Sequence, residues 1–246
     1  MALEIDMRHQ KLLEARILQN ERLAAIGQMA ARIAHEIRNP ISSIGLNAEL
    51  LEDEITGPER NTSNEAKVLL KSIMNEVDRV ANLLDEYLQF SRFPSTQLKP
   101  GNITVLIREV LGDFEMAAKA DAINIFSQFE PDLPDINFDA LQMRRVIMNL
   151  CRNSIEAMPM GGTLEVHVQR KDDHLLEIRV SDTGLGISKE DKDRIFKPFY
   201  TTKESGTGLG LSIIQQIILE HNGNIYCESE NGRGTIFYIT LPLKNV

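Results

Sequence analysis

One histidine in this chain has neighbours that could put it to work. His35 stands in the stretch Ala34-His35-Glu36-Ile37-Arg38-Asn39-Pro40, with an acid directly after it and an amide one helical turn on. A neutral imidazole nitrogen is a competent nucleophile near pH 7, its unperturbed pKa being about 6.5. Glu36 can accept the other ring N–H, fix the tautomer and stabilise the imidazolium that forms on attack. Asn39, at i+4, shares the helical face of His35. His9, His167, His174 and His221 have no comparable company and read as ordinary solvated side chains.

The glycines form a second cluster of interest. Asp182-Thr183-Gly184-Leu185-Gly186-Ile187 follows an apolar alternating run, and Gly206-Thr207-Gly208-Leu209-Gly210-Leu211-Ser212 leads into a helical one. Glycines at this spacing let backbone N–H groups approach an anion, and a helix N-terminus adds its dipole. Neither stretch is a dinucleotide fingerprint, because Leu211 occupies the third-glycine slot after Gly206. Neither is a P-loop, because no Lys-Ser/Thr pair follows. Asn149 and Asn153, at i and i+4, share one helical face. An amide oxygen there can ligate Mg²⁺ without adding charge, leaving phosphates and water to complete the octahedron. Each piece alone has an ordinary reading as a tight loop or a solvated helix face.

These residues need elements to hold them. The 246 residues suffice for two modest domains, with 42% apolar and 26% charged residues. Lys+Arg of 27 against Asp+Glu of 36 gives a net charge of -9, which argues against general nucleic-acid or anionic-membrane binding. Cys151 and Cys227 lie far apart, without metal or redox spacing, and read as buried thiols in a reducing compartment. No apolar run reaches the ~18 residues of a membrane span and no signal peptide is visible, so the expected location is cytoplasmic. Any membrane link would run through a sensor region N-terminal to this sequence.

Residues 1–22 carry a ragged heptad pattern, read as a signal-input coiled-coil helix. A cleaner seam follows at Leu23, Ile26, Ala30, Ile33, Ile37 and Ile44, with Pro40 expected to bend the helix. His35 lies about 200° round the helix from the seam, and so faces outward. A second helix over about 64–90 has an unbroken seam at Ala66, Leu70, Ile73, Val77, Val80, Leu84 and Tyr87. One hairpin cannot bury so long a stripe, but two can as a four-helix bundle, which predicts a homodimer through residues 23–92. Residues 93–101 read as a linker. Residues 102–246 alternate helices near 103–119, 139–158 and from 210 with strands near 122–130, 163–170, 174–181, 224–230 and 234–241. That is an α/β sandwich with helices on one face of a sheet. The fold class is therefore α plus α/β.

In one order along the chain stand His35-Glu-x-x-Asn-Pro, Asn149-x-x-x-Asn153, Asp182-x-Gly-x-Gly, Phe196-Lys-Pro-Phe199 and Gly206-x-Gly-x-Gly210, with Gly232-Arg-Gly234-Thr235 behind them. This closely resembles bacterial two-component sensor histidine kinases over about residues 22–241. Five motifs in fixed order make chance similarity negligible. The resemblance implies an ATP-binding domain of the gyrase, Hsp90 and MutL type, with ATP and Mg²⁺ as cofactors. It implies Asp182 on the adenine amino group, flanked by Gly184 and Gly186, and Asn153 on Mg²⁺ beside Asn149. It implies a lid over 197–210 with Phe196 and Phe199 as anchors, and Lys203, Gly206, Thr207, Gly208, Leu209 and Gly210 around the triphosphate. The activity implied is autophosphorylation of His35 and transfer to an aspartate of a response-regulator receiver domain. Asn39 would position water for a phosphatase activity toward that regulator.

Two departures matter. Related ATP-hydrolysing enzymes carry a water-activating glutamate four residues before the Mg²⁺ asparagine. Asn149 stands there, so a stand-alone ATPase is disfavoured. Many sensor kinases place a phosphate-contacting lysine three residues after that asparagine. Here it is Glu156, which leaves Lys203 and Arg152 as candidate replacements. The stretches Phe199-Tyr-Thr-Thr-Lys203 and Glu156-Ala-Met-Pro159 resemble the nitrogen-regulator-like branch of the family.

Overall fold

A computed structural model describes residues 34–35, 37–55, 65–91, 96–203 and 206–243. The input helix over 1–22, the seam before Ala34, Glu36, the turn at 56–58 and Pro94 lie outside the described residues. The chain divides into two compact units, Met1–Phe93 and Pro94–Val246.

In the first unit, helix α1 occupies the described residues 37–55, with 34 and 35 also helical, and runs through a buried Pro40. Helix α2 spans Glu65–Ser91. The two meet at the loop end. There the Glu54 carboxyl is raised above its ordinary value by loss of water and by the nearby Glu65 carboxylate. The seam of α2 is only partly covered within one chain, with Leu70 at 50%, Val77 at 51% and Leu84 at 45% exposure. Ile41, Leu46 and Leu50 of α1 are likewise exposed. An apolar stripe left this open on a helical hairpin is what a second hairpin would cover.

The second unit is built on a five-stranded sheet in the order β2-β4-β5-β7-β6. Its strands are β2 (Ile123–Phe129), β4 (Gly162–Arg170), β5 (Leu175–Asp182), β6 (Asn224–Ser229) and β7 (Thr235–Pro242). Only β2 and β4 pair in parallel; the others are antiparallel. Period-two alternation puts Leu164, Val166, Ile178, Val180, Phe237 and Ile239 on the buried face, and Glu165, Glu177 and Tyr238 on the other. Helices α3 (Ile103–Ala120), α4 (Ala140–Glu156) and α6 (Gly210–Glu220) cover that buried face with Ile107, Val110, Ile147, Leu150, Ile214 and Ile218. Each such side chain withdrawn from water contributes about 1.5–3 kcal/mol. The sandwich therefore forms as the alternation and the helical stripes demand.

Three elements have no counterpart in the sequence reading. Strands β1 (Lys99–Gly101) and β3 (Ile136–Phe138) pair antiparallel as a separate two-stranded ribbon, and α5 is a single turn, Lys189–Lys192. All three are too short to show a period. Strand β1 falls inside the linker expected at 93–101, and Thr96 and Gln97 just before it are bonded into the second unit. The Thr96 hydroxyl donates to Glu220 Oε2 at 2.6 Å, and the Gln97 N–H to Asp139 Oδ2 at 2.9 Å. No described helix is long and apolar enough to cross a membrane.

Candidate nucleotide and phosphoacceptor sites

Helix α4 is the post on which the second unit's site is hung. Asp139 caps it, Oδ1 accepting from the N–H groups of Leu141 and Gln142 at 3.1 and 3.2 Å. Burial works against the charge there, but these amides and that of Gln97 hold its carboxyl below the usual range. The cap is backed by His221, whose Nε2 accepts from the Asp139 N–H at 2.9 Å while its Nδ1 lies 2.7 Å from Ile217 O. His221 is thus 1% exposed and neutral, with the proton on Nδ1, and the reading of it as a solvated histidine is corrected. It closes the C-terminal end of α6 against the start of α4. Nothing in its sequence neighbours signals this, since the Asp139 N–H lies 82 residues away.

At the other end of α4 the asparagines emerge. Asn149 and Asn153 are half-buried at the rim, beyond the packed Val146, Leu150 and Cys151. Burial pushes the Cys151 thiol up to about 12, so it is an inert core group. The loop after β5 is fastened to this end of α4, with the Leu185 N–H donating to Ala157 O at 3.0 Å. Gly184 is required by that approach: a Cβ there would lie 2.5 Å from Ala157 O. From the far side, the Gly232 N–H donates to Leu185 O at 2.7 Å and the Ile187 N–H to Ser229 Oγ at 2.7 Å. Gly186, beneath the Glu230 carbonyl, completes a loop clamped between α4 and the β6–β7 turn.

Asp182 ends β5 at the root of this loop and is 5% exposed. Its Oδ1 accepts from the Gly184 N–H at 2.9 Å and the Thr235 N–H at 3.3 Å. Burial pushes the carboxyl up; the N–H groups of Gly184 and Thr235 pull against that. A carboxylate fixed on one oxygen at the base of a loop is suited to accept one directed hydrogen bond from a ligand. Thr235 is the member of this arrangement that motif reading did not single out as a support of Asp182.

The second glycine loop comes next. Phe199 is buried, and its N–H donates to Gly208 O at 2.9 Å. Tyr200 adds a tie absent from the sequence reading: its hydroxyl donates to Asp191, which the Ser188 hydroxyl also bonds at 2.7 Å. Thr207 and Leu209 are buried, and the Leu209 N–H donates to Thr207 Oγ1 at 3.2 Å. Leu209, the N-cap residue of α6, makes no side-chain capping bond, so the glycine loop leads into a helix N-terminus starting at Gly210, a place for an anion.

Lys203 joins the two halves. Its Nζ donates to Asn153 Oδ1 at 3.2 Å and forms an ion pair with Glu156. Arg152, the other candidate cation, is instead turned back on Asn149, to which its guanidinium donates. The Asn153 oxygen thus already faces a positive charge. Among the described residues no group of three or more His, Cys, Asp or Glu could hold a metal ion unaided. A hard divalent cation that takes one amide oxygen and draws its other ligands from phosphate and water fits this donor set.

In the first unit, His35 and Asn39 are both exposed, with Asn39 Nδ2 3.5 Å from His35 Nδ1. That is the outer limit of a hydrogen bond, so the imidazole is accessible and loosely held.

A helical hairpin presenting an open imidazole, in one chain with an α/β sandwich whose glycine loops and helix N-terminus make an anion cradle, defines a class of two-part phosphotransfer proteins. The family described as "His Kinase A (phospho-acceptor) domain" matches residues 25–96, and "Histidine kinase-, DNA gyrase B-, and HSP90-like ATPase" matches 138–245. The crystal structure of histidine kinase ThkA in complex with response regulator protein TrrA shares 31% identity and a TM-score of 0.76, covering 95% of this chain and 66% of that one. The catalytic domain of ThkA is 33% identical, with a TM-score of 0.55, over 61% of this chain and 99% of its own. Sporulation kinase E of Bacillus subtilis is 34% identical over 99% of this chain and 32% of its own length. The chain belongs to the bacterial two-component sensor histidine kinases, and it spans between about a third and a half of the curated relatives it matches.

Proposed function

We propose that this chain transfers the γ-phosphoryl group of ATP to His35 and passes it to an aspartate of a response-regulator receiver domain, working as a homodimer. The observation that carries the reading is Lys203 Nζ on Asn153 Oδ1 at 3.2 Å. It brings a lid cation and the α4 amide together beside a helix N-terminus, a place built for a polyphosphate and its counter-ion. Asp182 accepts a hydrogen bond from the adenine amino group. The N–H groups from Gly206 to Gly210 receive the phosphates, and Asn153 holds Mg²⁺. When bound, Mg²⁺ neutralises charge on the phosphate oxygens.

An imidazole nitrogen of His35 attacks the γ-phosphorus in line. The N–P bond forms as the bond to the bridging oxygen breaks, and ADP leaves with that electron pair. Glu36 takes the proton from the other ring nitrogen. Asn149, an amide, cannot deprotonate water, which keeps the phosphoryl group for the histidine. Catalysis is then mainly positioning and charge neutralisation. Asn39, beside the imidazole, positions water in the reverse task of clearing the regulator's aspartate. The open seam of α2 and the exposed Ile41, Leu46 and Leu50 of α1 support the dimer, and the ThkA relative, solved with a response regulator protein, supports the partner.

The test is incubation with γ-labelled ATP and Mg²⁺. Acid-labile, alkali-stable label on the protein, lost in His35→Gln, is expected. Release of free phosphate at an unchanged rate in His35→Gln, with no protein label, would sink the reading.

A further inference from the structure

Glu156 stands at i+3 from Asn153 on the rim of α4, and a single ammonium group bridges the two side chains. Lys203 Nζ donates to Asn153 Oδ1 at 3.2 Å and pairs with the Glu156 carboxylate. Both members of the pair are about half exposed, at 44% and 48% for the side chains. An ion pair so open to water adds little to stability, so folding gives no account of it. A carboxylate beside a phosphate cradle would by itself repel a triphosphate. Neutralised by Lys203, it instead holds the lid's cation at the rim, within reach of whatever binds at Asn153.

We propose that Glu156 is a positioning residue that acts through Lys203. It holds the lid lysine beside Asn153, so that the ammonium meets the terminal phosphate of an incoming nucleoside triphosphate. This rests on the reading of the second unit as an ATP site. Two consequences separate it from a passive surface charge. Removing the Glu156 charge weakens triphosphate binding, although electrostatic repulsion alone predicts the opposite sign. The two residues are also exchangeable, since a lysine at 156 paired with a glutamate at 203 leaves the same charges at the same rim.

The experiment measures dissociation constants for ATP·Mg²⁺ and ADP·Mg²⁺ by equilibrium dialysis on the full 246-residue chain, with Tm recorded alongside. Glu156→Gln should weaken ATP binding about twofold to fivefold, the size of an exposed charge interaction. ADP binding should weaken less, and Tm should not move. Lys203→Glu should cost roughly tenfold or more, because it places like charges together. Adding Glu156→Lys to Lys203→Glu should restore ATP affinity to within about threefold of wild type, since the charges at the rim are again paired. Unchanged or tighter ATP binding in Glu156→Gln, or no rescue in the exchanged pair, overturns the proposal while the wild-type chain still binds ATP and labels His35. Failure of the wild-type chain to bind ATP overturns both it and the reading beneath it.

Discussion

Gly208 and Gly210 look alike in the sequence and should behave oppositely when replaced by alanine. Gly208 sits at φ +70°, and a Cβ there would lie 2.5 Å from the carbonyl carbon of Phe199 and 2.6 Å from the nitrogen of Tyr200. The left-handed conformation costs alanine about 1–2 kcal/mol. The overlapping atoms are backbone and cannot swing aside. Moving them strains the bond from the Phe199 N–H to Gly208 O, at 2.9 Å, worth about 0.5–1.5 kcal/mol. Together these give roughly 2–3 kcal/mol, or a Tm lower by about 4–12 °C for a domain of this size. Gly210 opens α6, and a Cβ there meets no atom within 4 Å. Gly210→Ala should leave Tm unchanged or raise it, because alanine loses less backbone entropy than glycine, by about 0.5–1 kcal/mol. Thermal unfolding of both variants, followed by circular dichroism, is the assay. A Gly208→Ala chain as stable as wild type, or a Gly210→Ala chain as damaged as Gly208→Ala is expected to be, would refute the geometry assigned to the lid.

Other perturbations separate support from chemistry. Asp182→Asn keeps an Oδ1 for the Gly184 and Thr235 N–H groups and removes a carboxylate whose raised pKa marks its ionised form as costly. Unfolding should show equal or greater stability at pH 7, while ATP affinity falls about tenfold or more from the mismatched hydrogen bond; unchanged affinity would remove Asp182 from the adenine site. His221 has its pKa lowered by burial, against the opposing pull of the Ile217 carbonyl, Asp139 and Glu220. The unfolded chain therefore binds a proton that the folded one refuses. Stability contributed by neutral His221 is full above about pH 6.5 and falls as pH drops below it. Urea titrations at descending pH should show that loss, and His221→Gln should be less stable at neutral pH but flatter with pH. Asn39→Ala should leave His35 labelling intact and slow the loss of phosphate from the partner regulator, measured on pre-phosphorylated receiver domain.

Much of this architecture was legible because it obeys short-range rules. The alternation of Leu164, Val166 and Val168 defines β4 whatever lies around it, and Asp139 followed by a helical stripe announces the start of α4. Asp182, Asn153 and the glycines were legible in another way, as types in a fixed order. What stayed hidden depends on pairs distant in sequence. β1 and β3 exist because Lys99–Gly101 and Ile136–Phe138 find each other. His221 is buried because the Asp139 N–H needs an acceptor. Glu156 is the sharpest case. In the sequence it is an acid where a cation is wanted, and it reads as a gap in the site. The cation is 47 residues further on and paired with it. The motif specifies a charge near Asn153, not the element that carries it. On the proposed reading, a lysine in the 197–210 loop held by a helix carboxylate meets that requirement, because its ammonium already lies on Asn153 Oδ1 at 3.2 Å.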